Sequence, residues 1–415
     1  MIRLSTTTIY QSGLNGILKN ESDVNYLQQQ LSSGRRVVTP SDDPLAAGQA
    51  VTAFQNLNMT QTYASNRDAA NRSLGLETNA LASVVTTLTS VLTRVVQAGN
   101  GTLADQDRNS LATVLEQSRD ALFALANSTD GNGEYLFSGT AGNAAAYVKN
   151  PTTGEITYNG NAGQRLVQVE QSRQMSVSDI GSDIFNRASP GTVSYVAAAS
   201  PFNTGTATFS APTVDAASSG PSLNYVVSFA KDPTTNQMMY TITTSDPSTG
   251  LGTTSTPVAY EPGEAIDTGH GVTMVVDGEP QEGDTFTIKT AQTADVDMFA
   301  TFDSLITALK APSQGDPAAQ AQLVNLLATA NKTLSINLDN VSTIQASVGA
   351  RQNELDALDT TGTQRALTDN KTLTDLTQIN YYSAISEMSM RQLSLQASMS
   401  AFSAVKGTSL FSMNK

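Results

Sequence analysis

Proline is confined mainly to the middle of this chain, and that distribution limits where long helices can form. Ten of the 14 prolines lie between Pro151 and Pro280, whereas residues 45–150 and 318–415 contain none. Because proline breaks helix interiors, both proline-free stretches can form long helices. The sequence therefore predicts a helical part towards each end of the chain and a different structure between them.

Apolar residues recur every seven positions in four stretches, two in each helical part. Sustained spacing of this kind specifies helices that pair along a seam. An ordinary amphipathic core helix would explain one such seam, but four favour a coiled-coil-like rod. The four seams comprise Tyr10, Leu14, Ile17, Val24 and Leu31; Leu74, Leu81, Val85, Leu88, Leu92 and Val95; Leu327, Leu334, Val341, Ile344, Val348, Leu355 and Leu358; and Tyr381, Ile385, Met388, Leu395, Met399 and Phe402.

Alternating apolar residues beside turn signals predict β-structure in the middle of the chain. The first pair of strands is expected on either side of Asn159-Gly160, a dipeptide typical of hairpin turns. The stretch 189–222 is rich in small residues and is compatible with loop or with weak edge strands. The predicted strand pairs are 156–158 with 166–169, 225–229 with 239–243, and 272–276 with 286–288.

Charge divides the chain in the same way as proline. The whole sequence has a net charge of −14, and residues 151–317 alone account for −12. The predicted fold is α+β: long N- and C-terminal helices packed together as a coiled-coil-like rod, with a β-rich central insertion. The predicted domains are 1–40 plus 365–415 for terminal coiled-coil assembly, 41–147 plus 295–364 for the helical rod, and 148–294 for an acidic, outward-projecting insertion whose division into two lobes near 190 is left open.

The composition excludes several functional classes. There is no Cys and only one His, so we expect no disulfide, no metal site, no cofactor and no Cys nucleophile. The acidic balance argues against nucleic-acid binding. The sequence contains no run of about 18 apolar residues, so no membrane-spanning helix is predicted. The N-terminus lacks the apolar core of a signal peptide. We therefore expect that the chain is not an enzyme and does not insert into a membrane. We expect it to be either cytoplasmic or exported without a cleaved signal.

The segment LSSGRRVVTPSDDP, residues 31–44, predicts a helix stop followed by a helix start. Gly34 can close one helix in the left-handed conformation, and Asp43 can cap the next helix with Pro44 in its first position. Asp42 and Asp43 lack a nearby His or third carboxylate, which argues against a metal site. Arg35 and Arg36 either contact a neighbouring molecule or are solvated. The connector motif comprises Ser33, Gly34, Arg35, Arg36, Pro40, Ser41, Asp42, Asp43 and Pro44.

Two further acidic segments have structural interpretations. Residues 130–134 superficially resemble a calcium loop, but Tyr135 stands where the sharp turn requires Gly. A turn into a short strand over 135–137 is the prediction. Asp295 and Asp297 are interpreted as acids at the start of a helix that begins near Met298.

The connector motif resembles the N-terminal signature of bacterial flagellins and their hook-associated relatives. Residues 373–415, LTDLTQINYYSAISEMSMRQLSLQASMSAFSAVKGTSLFSMNK, resemble the C-terminal helix of the same family, and VGARQNELDAL from Val348 fits it too. The opening MIRLSTTTIY, the segment GEYLFSGT at 133–140 and the closing SLFSMNK are more similar to the hook-associated branch than to flagellin. The resemblance covers roughly residues 1–150 and 295–415.

This resemblance implies a structural subunit that joins the flagellar hook, through the first hook-associated protein, to the flagellin filament. Its terminal helices would pack into the tube wall after export through the flagellar type III apparatus, giving an extracellular location. Implied partners are the first hook-associated protein, flagellin, copies of the chain in a ring and a cytoplasmic export chaperone. The alternatives are a flagellin filament subunit and, in another class, a secreted adhesin or enzyme carried by the insertion. The expected assembly interface comprises Leu14, Ile17, Val24, Leu31, Tyr381, Ile385, Met388, Leu395, Met399 and Phe402.

Overall fold

The computed structural model describes residues 6–215 and 223–407, and it confirms the α+β class. The resemblances at residues 1–5 and 409–415 lie outside the described residues. Long helices occupy both ends of the chain and strands occupy the middle. The helices are α1 (Thr6–Ser33), α2 (Pro44–Ala98), α3 (Asp105–Ala126), α4 (Gly181–Phe185), α5 (Met298–Lys310), α6 (Pro317–Thr377) and α7 (Tyr381–Gly407).

The chain forms two compact units. Unit 1 comprises residues 1–67, 169–171 and 356–415, and unit 2 comprises residues 68–168 and 172–355. Both boundaries between the helical segments fall inside long helices, α2 and α6. The predicted division into three domains stays a prediction.

The heptad seams of α2 and α6 lie in the core of unit 2. Leu74, Leu81 and Leu88 have no exposed surface, and the five α6 residues from Leu327 to Leu355 that follow at intervals of seven are all buried. The intermediate positions of α2 were predicted one residue too late. Val84 and Val91 are fully buried, whereas Val85 and Leu92 are half-buried. Along the apolar stripe of a helix, steps of three and four residues alternate. A step of three from Leu81 leads to Val84 on the same face of the helix.

Between α3 and α5, the described residues form fourteen strands. They form a six-stranded sheet in the order β10-β9-β8-β14-β5 with β11 also on β9, a four-stranded sheet in the order β12-β13-β6 with β7 also on β13, and two hairpins, β1-β2 and β3-β4. The strands are β1 (Tyr147–Lys149), β2 (Ile156–Tyr158), β3 (Leu166–Glu170), β4 (Arg173–Ser176), β5 (Tyr195–Ala199), β6 (Thr208–Phe209), β7 (Thr213–Val214), β8 (Asn224–Lys231), β9 (Met238–Ser245), β10 (Gly252–Thr254), β11 (Val258–Ala259), β12 (Ala265–Asp267), β13 (Val272–Asp277) and β14 (Thr285–Thr290).

One of the three predicted strand pairs is confirmed. Strand β8 pairs antiparallel with β9. The predicted hairpin across Asn159-Gly160 is wrong, because β2 pairs with β1 and β3 pairs with β4. The Asn161 side chain accepts hydrogen bonds from the backbone N–H groups of Thr140 and Gly163, at 3.0 and 3.1 Å, and so fixes the turn in another direction.

The predicted pairing of 272–276 with 286–288 is also wrong. Strand β13 belongs to the four-stranded sheet and β14 to the six-stranded sheet, and the two sheets share one core. The loop between them is fixed by the buried Asp284 carboxylate, which accepts hydrogen bonds from the backbone N–H groups of Thr204, Gly205 and Gln281. A sequence that alternates on both sides of a turn suits a hairpin and a crossing between sheets equally well.

Helix α6 covers one edge strand of each larger sheet, β5 of the six-stranded sheet and β6 of the four-stranded sheet. The Thr329 hydroxyl donates to the carbonyl of Ala197 in β5, at 2.8 Å. The Asn325 amide accepts from the backbone N–H of Phe209 and donates to the carbonyl of Ala207, at 3.0 and 2.9 Å. These side chains satisfy backbone groups that would otherwise form an open strand edge.

Two local predictions have different outcomes. Helix α5 does begin at Met298, and Asp297 caps it by accepting a hydrogen bond from the N–H of Ala300 at 2.9 Å. The predicted short strand over 135–137 is wrong. Tyr135 forms only an isolated bridge to Thr129, because the Asp130 carboxylate holds the N–H groups of Asn132 and Glu134 in a tight turn.

We expect Leu81→Ala to lower the free energy of unfolding of unit 2 by about 2–5 kcal/mol, the usual effect of a cavity at a fully buried leucine. The matched control is Leu76→Ala, in the same helix, where the side chain is 39% exposed. Urea unfolding followed by circular dichroism would compare the two variants. Equal losses would contradict the assignment of the Leu81 face to the core.

Candidate assembly interface

Helices α1 and α7 pack against each other within unit 1. The Asn20 amide donates to the Ser398 hydroxyl at 3.0 Å, and the Arg391 guanidinium lies 3.1 Å from the Asp23 carboxylate. Towards the start of α1, a Cβ added to Gly13 would lie 2.9 Å from the ring of Phe402. Glycine at position 13 therefore gives the ring of Phe402 room to lie against α1. The structure thus brings together the two ends of the chain that the seams predicted to pair.

Six of the ten predicted interface residues line the inner face of this helix pair or its margin. Leu27, which the sequence reasoning missed, is the most buried apolar residue of α1, with 7% exposure, and Ala384 has the same exposure in α7. Ala384 lies three residues after Tyr381, so the three-residue step within the heptad pattern could have identified it. The predicted residues that are half-buried are Ile17, Val24, Leu31, Met388, Leu395 and Phe402.

The other four predicted residues face outward. Leu14 is 40% exposed, and Tyr381, Ile385 and Met399 are 51–54% exposed. They are joined on the exposed surface by apolar residues that the predicted interface did not include. We call the exposed apolar residues of α1 and α7 together the outer apolar face: Ile9, Tyr10, Leu14, Leu18, Tyr381, Tyr382, Ile385, Met390, Leu393, Met399 and Val405. A surface with this many exposed apolar side chains is typical of a protein interaction site.

The connector between α1 and α2 has the predicted caps. Gly34 adopts a φ of +69°, and a Cβ there would lie 2.9 Å from the hydroxyl oxygen of Tyr381. Asp43 accepts a hydrogen bond from the N–H of Ala46 at 3.0 Å, with Pro44 in the first position of α2. A glycine is therefore required at position 34 both by the backbone conformation and by the close approach of a side chain from α7.

Asp42 and Asp43 act as hydrogen-bond acceptors within this connector. Asp42 accepts from the backbone N–H groups of Thr39 and Val38, at 2.6 and 3.1 Å. The bond from Thr39 is the main cause that lowers the pKa of Asp42, and the bond from Ala46 is the main cause for Asp43. Both side chains are therefore ionised at neutral pH and fix the turn. Of the remaining motif residues, the hydroxyl of Ser41 lies 2.8 Å from that of Thr39.

Arg36 ties this connector to the short connector between α6 and α7. Its guanidinium lies 3.1 Å from the Asp43 carboxylate and donates to the carbonyl of Leu376 at 2.9 Å. Its backbone N–H donates to the carbonyl of Thr377 at 2.8 Å. Arg36 thus makes contacts within the chain, and the two roles left open for it, contact with a neighbouring molecule or solvation, stay predictions.

The backbone continues this link between connectors. Arg35 forms an antiparallel bridge with Gln378, and the N–H of Ile379 donates to the carbonyl of Gly34 at 3.1 Å. The Ser33 hydroxyl accepts from the N–H of Arg35 at 3.3 Å, next to the bridge. The point where α1 leads into α2 and the point where α6 leads into α7 are therefore held together as one joint.

Among residues 6–215 and 223–407, no group of three or more His, Cys, Asp or Glu side chains is placed to hold a metal ion. By length and composition alone, α2 is apolar enough to cross a membrane, although it contains no uninterrupted run of about 18 apolar residues, and the expectation of no membrane insertion stays a prediction. One such helix is weak evidence, because core helices of soluble proteins pass the same test.

A paired set of terminal helices with exposed apolar side chains is typical of a structural protein. The family profile of the bacterial flagellin N-terminal helical region matches residues 4–142. Over the whole length, the chain is 30% identical to flagellar hook-associated protein 3 of Escherichia coli, with 100% of both chains covered.

Two solved structures agree with this likeness. FlgL from Xanthomonas campestris is 31% identical, with a TM-score of 0.65, and the match covers 78% of this chain and 99% of that one. The flagellar junction protein FlgL from Legionella pneumophila is 27% identical, with a TM-score of 0.63 and coverage of 80% and 100%. The chain belongs to the family of flagellar hook-associated protein 3. The resemblance noted in the sequence is thereby confirmed, and the chain is a structural component of the bacterial flagellum.

We expect Arg36→Ala to loosen the joint between the two connectors. The side chain is 45% exposed, so the loss is expected to be about 1 kcal/mol rather than the larger value of a buried pair. Hydrogen–deuterium exchange at the amide of Ile379 would report the opening. Arg35→Ala, which keeps the backbone bridge, is the control, and equal exchange in both variants would contradict the role of Arg36.

Proposed function

We propose that this chain is the subunit that joins the flagellar hook to the filament, placed between the first hook-associated protein and flagellin. The observation that carries the proposal is the outer apolar face on the paired terminal helices. In a monomer this face contacts water, whereas in a tube wall it would be covered by neighbouring subunits. Each leucine, isoleucine or methionine buried there would contribute up to about 1.5–3 kcal/mol.

The proposed partners follow from the same face. Copies of the chain in a ring would cover it laterally, with the first hook-associated protein below and flagellin above. Before assembly the outer apolar face would be exposed to water, which is unfavourable for apolar side chains. A cytoplasmic export chaperone that covers this face is therefore a further proposed partner. We propose no nucleic-acid partner and no membrane insertion. The acidic middle of the chain, with its net charge of −12, supports the first of these.

We also propose that the chain acts outside the cell and leaves through the flagellar type III apparatus without a cleaved signal. The absence of cysteine means that folding after export would need no disulfide chemistry. The role is mechanical rather than catalytic. Residues 1–40 with 365–415 would form the assembly part, residues 41–147 with 295–364 the rod, and residues 148–294 the outward projection.

Two alternatives make different predictions. A flagellin would form long filaments alone, but the flagellin of Listeria innocua matches 35% of this chain, whereas the likeness to hook-associated protein 3 extends over the whole chain. A secreted adhesin or enzyme would keep its activity when the terminal helices are removed. A junction subunit would lose attachment to the hook after the same truncation.

The direct test is to mix the purified chain with isolated hooks that bear the first hook-associated protein, and to examine them by electron microscopy. A short collar that then supports flagellin growth is expected. Long filaments of this chain alone would identify a flagellin. Failure to bind hooks would contradict the junction role and direct attention to the acidic insertion.

We expect Ile385→Asp or Leu393→Asp to abolish collar formation while α1 and α7 remain paired, since both side chains lie on the outer apolar face and are 51% and 68% exposed. A buried carboxylate at a subunit contact costs several kcal/mol without a partner. Met388→Asp, on the inner face, is expected to disrupt the helix pair itself. Circular dichroism of the monomers and collar formation on hooks would separate the two effects.

The matched control for these variants is Ser394→Asp, an exposed residue of the same helix that is adjacent to Leu393. This substitution introduces the same charge without removing an apolar side chain. We expect binding to hooks to weaken somewhat, but collars should still form. Normal collars from both Ile385→Asp and Leu393→Asp would show that the outer apolar face is not the assembly surface.

A further inference from the structure

Glu77 is a buried acid in the apolar seam of α2. It follows Leu74 by three residues, the same step that places Val84 after Leu81 and Val91 after Leu88. Like those five apolar residues, it has no exposed surface. Position 77 is thus one of the core positions of unit 2, where an apolar side chain would be the ordinary choice.

The surroundings of Glu77 satisfy only half of its carboxyl group. Oε1 accepts a hydrogen bond from the backbone N–H of Asp179 at 3.1 Å. Oε2 is buried and has no hydrogen-bond partner among the described residues. A carboxylate with an unsatisfied oxygen in a water-excluded site is costly, whereas the neutral acid loses much less by burial.

One guanidinium faces two acids at this place. Arg351, from α6, forms a short ion pair with the Asp179 carboxylate and donates to the carbonyl of Ser176 at 3.1 Å. Its Nε is buried without a partner among the described residues. Asp179 and Arg351 are the charged groups that act on Glu77 from the elements packed against it. Because Asp179 takes the guanidinium, the single positive charge does not also neutralise an ionised Glu77.

The protonation of Glu77 follows from this arrangement. Burial is the largest cause that raises its pKa and the Asp179 carboxylate is the next, and together they outweigh Arg351 and bring the pKa to about 8. At neutral pH the folded chain therefore holds a proton here that an exposed glutamate would have lost. Between the ordinary glutamate range and pH 8 the folded state binds more protons than the unfolded state, so its stability falls as pH rises.

We propose that Glu77, Asp179 and Arg351 form a proton latch, in which one proton on Glu77 keeps residues 177–180 docked against α2 and α6 and loss of that proton releases them. The docked segment contributes Val177 and Ile180, which are 8% and 7% exposed, and it leads directly into α4. When Glu77 ionises, two carboxylates lie beside one guanidinium in a dry site. The hydrogen bond from the Asp179 N–H does not offset that repulsion, and the segment moves out to water.

The latch can be tested in the full chain by hydrogen–deuterium exchange at the Asp179 amide from pH 6 to pH 9, corrected for the intrinsic effect of pH on exchange. We expect the protection of this amide to fall by about tenfold for each pH unit between pH 6 and pH 8 and to change little above that, because the docked and released states differ by one bound proton in that interval. In Glu77→Gln, which keeps the size and the acceptor oxygen, protection should be independent of pH. Glu282→Gln, at an exposed glutamate of the same unit, should behave as the wild type.

Asp179→Asn separates a latch from a merely structural hydrogen bond. Removing this carboxylate frees Arg351 to pair with Glu77, so the fall in protection should move to lower pH by one unit or more. Infrared spectroscopy provides an independent readout: a protonated carboxyl band at pH 7 that is absent from Glu77→Gln. The proposal is overturned if Glu77→Gln retains the pH dependence of the wild type, if Asp179→Asn leaves the midpoint unchanged, or if the carboxyl band is missing.

Discussion

The contact between the first and last helices of the chain is the interaction on which the account of assembly depends. Helices α1 and α7 are distant in sequence, yet Asn20 with Ser398 and Asp23 with Arg391 join them directly. This pairing uses one face of each helix and leaves the outer apolar face uncovered. An exposed apolar face is typical of a protein interaction site, which is why we propose that neighbouring subunits cover it.

The linked connectors give the helix pair a defined position at its base. Arg36 and the bridge from Arg35 to Gln378 join two chain reversals that lie more than 300 residues apart in sequence. Had the two reversals been independent, α1 and α7 would have shared no common anchor. Because these hydrogen bonds are exposed and individually weak, the joint is held by several of them together rather than by any one.

The sequence predicted the helices, the paired ends and the caps because each rests on local periodicity or local turn chemistry. Gly34, Asp43 and the seams of α2 and α6 are of this kind. The sequence did not predict strand pairing, because alternation at Val272–Val276 and Phe286–Ile288 does not say which sheet each strand joins. It also did not separate the inner from the outer face of α7, since Ile385 and Met388 are both apolar and only tertiary packing distinguishes them. Glu77 was also missed, because a single acid in a helix is usually a surface residue and only the tertiary packing shows that this one is buried.

A high-resolution electron cryo-microscopy reconstruction of the chain assembled on hooks tests the central claim most directly. The account predicts that α1 and α7 remain paired through Asn20 and Ser398, and that Ile385, Leu393 and Met399 are covered by neighbouring subunits. An assembled structure in which these three side chains still face solvent, or in which α1 and α7 have separated, would contradict it.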